Sequence, residues 1–202
     1  MAMISRTRTL ALGLAGLGAA GGMAGLGTFA TFTGTTSASQ SLATGTVIIG
    51  LGTAGSADNR LTIGATGLVP GDTVQRRVKL TNTGSESLAS IVLTTTAGST
   101  NVLTSDATNG LQMKIERCAL TWVEVGTGPY TYTCATRTDV VSSRAVIGSN
   151  LSMASMAALA AGATDDMVVT ISLPSAAGNT FQNLSNSITY TFDATQRAAT
   201  DK

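Results

Sequence analysis

Few groups in this chain could do chemistry. The thiols of Cys118 and Cys134, the adjacent carboxyls of Asp165 and Asp166, and the glycines Gly50, Gly52 and Gly55 are the ones to weigh. The 202 residues contain no histidine, which removes His-assisted serine and cysteine nucleophiles and every His-containing zinc site. Gly50-x-Gly52-x-x-Gly55 has dinucleotide-site spacing and follows the apolar run Thr46 to Ile49. A pyrophosphate, however, needs a helix opening at the third glycine, because it rests on that helix's N-terminus. Here Ser56-Ala57-Asp58-Asn59 follows and then another apolar run, so the pattern reads as a glycine-rich turn. No glycine precedes a lysine and no lysine has a serine three residues before it, so phosphate-loop and Ser-x-x-Lys chemistry are also missing. Asp165-Asp166 reads as a solvated turn at the start of a strand, without the alternating oxygen ligands of a calcium loop. The expectation is no catalytic residue, no metal and no cofactor.

The elements that must carry these groups are strands. Val74, Arg76, Val78 and Leu80 alternate with Gln75, Arg77 and Lys79, and Leu111, Met113 and Ile115 alternate with Gln112, Lys114 and Glu116. Met167, Val169, Ile171 and Leu173 repeat the period of two, as do Ile188, Tyr190 and Phe192 with threonines between them. Shorter runs at Thr46 to Ile49, Leu61 to Ile63 and Ile91 to Thr96 add strands. Pro70-Gly71-Asp72, Asn82-Thr83-Gly84 and Gly126 to Pro129 supply turns. Asn150 to Ala161, with Met153, Met156, Ala157 and Ala160 at helical spacing, predicts a short helix whose methionines pack. The predicted fold is all-β, a jelly-roll-like antiparallel β-sandwich with one short helix, preceded by an N-terminal hydrophobic segment. Threonine on the outward positions accounts for a charged fraction of only 11%, since it suits a pleated surface without carrying charge. With 12 basic against 11 acidic groups, no bulk attraction for nucleic acid is expected.

Arg6 and Arg8, the uncharged run from Thr9 to Phe32 and seven of the chain's 23 glycines mark residues 1–30 as an export signal, with Ala30 as the cleavage position. The rival reading is a retained membrane anchor, since the run is long enough to span a bilayer. Residues 31–50 would then be a mature N-terminal segment and residues 51–202 the sandwich. Export puts Cys118 and Cys134 in an oxidising setting, so they are expected to pair across a hairpin turning at Gly126 to Pro129. A turn centred on Thr127 sets Cys118 opposite Thr136 instead, so the pair requires a shifted turn or a bulge. Two free buried thiols are the alternative.

Three stretches resemble the TasA/camelysin (CalY) family of exported Gram-positive proteins, whose leaders are processed by a SipW-type signal peptidase. Gly27-Thr28-Phe29-Ala30-Thr31-Phe32 is similar to the family's leader boundary. Leu68-Val69-Pro70-Gly71-Asp72 and the run Val78 to Gly84 are similar to its Leu-x-Pro-Gly-Asp turn and its strand ending in Asn-x-Gly. Ser187 to Gln196 is similar to its closing strand. Ile48 departs from a position that is often acidic, and the Cys118/Cys134 region is no part of the family's core motifs. The resemblance implies a jelly roll secreted to the cell surface or biofilm matrix. It further implies self-assembly into fibres, with the N-terminal segment around Phe32, Leu42 and Val47 donated as a strand to the next copy. The partners so implied are the protein itself and the signal peptidase during export, with no nucleic acid, and a membrane only through an uncleaved leader. The alternative is a monomeric, surface-anchored adhesion module. The peptidase label carried by some members conflicts with the missing histidine.

Overall fold

The computed structural model describes residues 45–62, 65 and 67–200. Ten strands follow in order: β1 Ile49–Leu51, β2 Thr73–Asn82, β3 Leu88–Ala97, β4 Gln112–Cys118, β5 Val123–Val125, β6 Thr131–Thr133, β7 Arg137–Ala145, β8 Gly148–Ser152, β9 Thr164–Ser172 and β10 Ile188–Gln196. Among the described residues one α-helix, α1 Val102–Ser105, lies between β3 and β4, and a 3-10 turn spans Asn179–Phe181. Among the described residues one sheet runs β1-β2-β9-β4-β7, a second runs β10-β3-β8, and β5 pairs only with β6. All pairings between strands are antiparallel.

The period-two residues meet between the two larger sheets. Val78, Leu80, Met113, Ile115, Met167 and Val169 from the first sheet share one core with Leu88, Ile91, Leu93 and Leu151 from the second. The fold is thus an all-β antiparallel sandwich, as the alternation predicts. The Leu68 to Asp72 turn is locked to the end of β9: Val69 N donates to Asp72 Oδ2 (2.9 Å) and Gly71 N to Leu173 O (2.8 Å). Gly71 has φ of 98°, a conformation glycine reaches without strain. The stretch Gly52 to Asn59 is a glycine-rich turn, closed by Gly55 N donating to Asn59 O at 2.8 Å.

The single helix among the described residues is elsewhere than predicted. Residues 150–161 contain the end of β8 and a series of turns, with Asn150 and Ser155 at positive φ. Their backbone groups are drawn outward: Ala154 N donates to Val140 O (3.0 Å), Ala158 N to Asp165 Oδ2 (2.7 Å), and Leu159 O accepts from Leu88 N (2.7 Å). Met153 and Met156 are buried in the core as the spacing predicts, but Ala157 and Ala160 are exposed and Ala158 is buried in their place, so the helical stripe is only half right and the helix is absent. Leu61 and Thr62 lie in a turn rather than a strand, Ile63 falls outside the described residues, and β1 begins at Ile49 instead of Thr46.

Candidate functional site

Asp165 and Asp166 correct the expectation of a solvated turn. Both are in β9 and buried, with 2% and 7% of their surface exposed. Period two sends them to opposite faces of the sheet. Asp166 points outward to Arg77 of β2, which donates from Nε (2.7 Å) and Nη2 (2.6 Å) in a bidentate pair. Thr121 Oγ1 (3.0 Å) and Trp122 N (3.3 Å) donate to the same carboxylate. Asp165 points inward, accepting from Arg117 Nη1 (3.1 Å) and the Ala158 amide. A buried charge is tolerated only when paired and hydrogen-bonded, and both carboxylates meet that condition.

The outer pair is roofed by the β5–β6 hairpin, whose Trp122 and Tyr132 pack on Val168 and Cys118. Cys118 and Cys134 form a disulfide with Cα atoms 5.9 Å apart. The register difficulty is resolved by a break in both arms. Cys118 sits opposite Arg137 in the β4–β7 ladder, whereas Val123 sits opposite Thr133 in the hairpin, and the disulfide bridges the interval between the two ladders. Tyr132 donates its hydroxyl to Glu124 (2.8 Å), which also holds Arg60 (2.7 Å). The Arg60 hydrogen bond keeps the Glu124 carboxyl below its usual range, and burial pushes the Tyr132 phenol up to about 12. This layer fixes a roof; it offers no unoccupied nucleophile or base.

The segment from Gly45 to Ile49 explains the Asn-x-Gly motif. Ile48 O accepts from Thr83 N (2.9 Å) and Gly84 N (3.2 Å), and Thr46 O accepts from Ser85 N (3.0 Å). A Cβ at Gly84 would collide with the Thr46 carbonyl, so only glycine lets the strands approach this closely. Fully buried Asn82 braces the turn, its Nδ2 donating to Glu86 O and its Oδ1 accepting from Gly84 N, each at 3.0 Å. Val47, expected in the donated strand, packs against its own chain's core. Phe32, Leu42 and Ala30 lie outside the described residues.

Two features were illegible in the sequence. First, β10 is nine residues long and, among the described residues, pairs only with β3. Its inner row of Ile188, Tyr190, Phe192 and Ala194 is only partly buried against the core. Second, a cavity of about 530 Å³ opens at the Ile188 end of the sandwich. Its walls include Leu68, Val69, Leu103, Leu111, Phe181 and Leu184, and none of the described residues lining it is charged.

The family model for camelysin metallo-endopeptidases matches residues 5–201. The chain belongs to the camelysin family. The resemblance drawn from its leader boundary, turn motifs and closing strand therefore extends over nearly its whole length. Among curated proteins no match is found. The metal that the family description implies does not fit the donors of this camelysin-family chain. It has no histidine and its only two cysteines are bonded to each other. Among the described residues no three His, Cys, Asp or Glu side chains cluster. The two buried carboxylates are already filled by arginine and N–H donors. No helix among the described residues is long and apolar enough to cross a membrane.

Proposed function

We propose that this camelysin-family protein is a secreted structural component of the cell surface or biofilm matrix. It assembles when residues before Gly45 of one copy add as a strand to the open edge of β10 in another. The observation that carries this reading is β10 itself: a long edge strand with a half-buried apolar row and a strand on one side only, among the described residues. Such an edge offers unpaired main-chain groups to any extended segment, and strand addition is a recurrent way of filling it. With Val47 used within its own chain, the donated stretch is residues 31–44, from the predicted cleavage site to the first described residue. The reading assigns no catalysis, cofactor or metal.

A signal-free chain starting at Thr31 is expected to form fibres visible by electron microscopy, and a chain starting at Gly45 to remain monomeric in light scattering. A Thr31 chain that stays monomeric at high concentration overturns assembly. It would favour instead a monomeric adhesion module, for which the exposed Leu120, Val123 and Val125 of the hairpin region supply an apolar patch.

A further inference from the structure

The disulfide is covered unequally on its two sides. Cys118 ends β4, is only 6% exposed and packs with Trp122, Tyr132 and Val168, whereas Cys134 is partly exposed at the margin of that cluster. Both cysteines border an open groove of about 530 Å³ walled by Leu120, Val123, Ala135 and three threonines. None of the described residues lining it is charged. Leu120 is 85% exposed, so the groove meets solvent at an apolar lip. Each sulfur also has a backbone carbonyl within reach: Thr121 O lies 3.3 Å from Cys118 Sγ, and Thr136 O lies 3.1 Å from Cys134 Sγ. Bonded sulfurs have no proton to give these oxygens, but thiols do, so the reduced pair finds its acceptors already in place. Because β5 and β6 pair only with each other among the described residues, the bridge can open without breaking a ladder of either larger sheet.

We propose that Cys134 is a thiol-exchange site, and that the groove seats the apolar body of a low-molecular-weight thiol whose thiolate attacks Cys134 Sγ. A new S–S bond joins the thiol to Cys134, the Cys118–Cys134 bond breaks, and its electron pair leaves on Cys118, which takes up a proton. A second molecule of the thiol then attacks the sulfur of the first and releases Cys134, which is protonated in turn. Two thiols are thereby oxidised to one disulfide while the protein's own disulfide is reduced. Electrostatics favour this direction of attack. Arg137 faces Cys118 in the β4–β7 ladder and holds its guanidinium 5.3 Å from the Trp122 ring centre, so a cation stands on the face where the leaving thiolate forms. Glu116 and Asp166 on the same face are each matched by a cation, Lys114 and Arg77.

The test uses the signal-free chain with its disulfide oxidised, in native buffer, and benzyl mercaptan as the probe. Acid quenching within seconds, followed by peptide mass spectrometry, is expected to find the mixed disulfide on Cys134 about tenfold or more in excess over Cys118. At equal thiolate concentration benzyl mercaptan is expected to react about fivefold or more faster than 2-mercaptoethanol, because its ring is covered by the groove. Leu120→Ser changes a freely exposed side chain and is expected to abolish that preference, while near-ultraviolet circular dichroism of Trp122 reports an intact fold. Equal rates for the two thiols, or a preference that survives Leu120→Ser, overturn the seating in the groove. Adduct found mainly on Cys118, or exchange whose rate follows global unfolding through a urea series, overturns the site itself.

Discussion

At the scale of the residue, the Arg77–Asp166 pair is, among the described residues, the ion pair in which both partners are buried. Both side chains are under 10% exposed, so removing one partner leaves a charge buried without compensation. Asp166→Ala is expected to cost about 3–5 kcal/mol in urea unfolding. The double change Arg77→Met, Asp166→Leu is expected to recover most of that, since an apolar pair of similar volume avoids the desolvation. The roof above the pair and the inner row of β10 both answer to pH. Burial holds the phenols of Tyr132 and Tyr190 at about 12, above the ordinary value of 10. A raised acid favours the folded state below its unfolded pKa, and this contribution is lost as pH climbs through the folded value. Ultraviolet titration of tyrosinate is expected to find these two ionising late, with unfolding accelerating in the same window. Glu124, lowered by Arg60, acts in the opposite sense: its contribution is present above the unfolded carboxyl pKa and fades as pH falls through the folded one.

The element with the least support of its own is the β5–β6 hairpin. Two strands of three residues are marginal in isolation, and this pair belongs to neither larger sheet. It is held from below by Trp122 and Tyr132 and at its base by the disulfide. Replacing Cys118 and Cys134 together by alanine is expected to lower stability by roughly 3 kcal/mol, the closure entropy of a loop of this length. Amide exchange of Glu124 and Tyr132 is expected to quicken far more than that of Val169 in the central strand β9, because the hairpin opens before the sandwich does. Equal acceleration at all three would mean that the disulfide supports the whole body. The hairpin was readable from Gly126 to Pro129 and the flanking cysteines. Its break into two ladders was not, since that depends on β7 pairing with β4 beyond the disulfide.

At the scale of the whole molecule, assembly as proposed joins an uncharged segment to a strand, β10, that carries a single charge, Asp193. Residues 31–57 contain no charged side chain, and none of the described residues lining the cavity is charged. Fibre growth is therefore expected to change by less than about threefold between about 0.01 and 0.1 M salt, while the screening length falls from ~30 to ~10 Å. Light scattering across that range measures it, and a steep salt dependence would point to a charged interface elsewhere on the molecule.

Much of this protein was settled by its sequence alone. Period-two alternation is a local property, so β2, β3, β4, β9 and β10 and the Pro70 to Asp72 and Asn82 to Gly84 turns could be read directly, whereas β7 and β8, which lack a clean alternation, could not. The missing histidine, a matter of composition, argues against a zinc peptidase whatever the fold. The tertiary structure decided whatever depends on partners distant along the chain. Asp165 and Asp166 look like a solvated turn until Arg117 and Arg77, 48 and 89 residues away, are brought to opposite faces of β9. Residues 150–161 look helical until β7, β3 and Asp165 claim their backbone groups. That β10 pairs on one side only, among the described residues, has no local signature, because a strand is an edge only by virtue of what the rest of the fold places beside it.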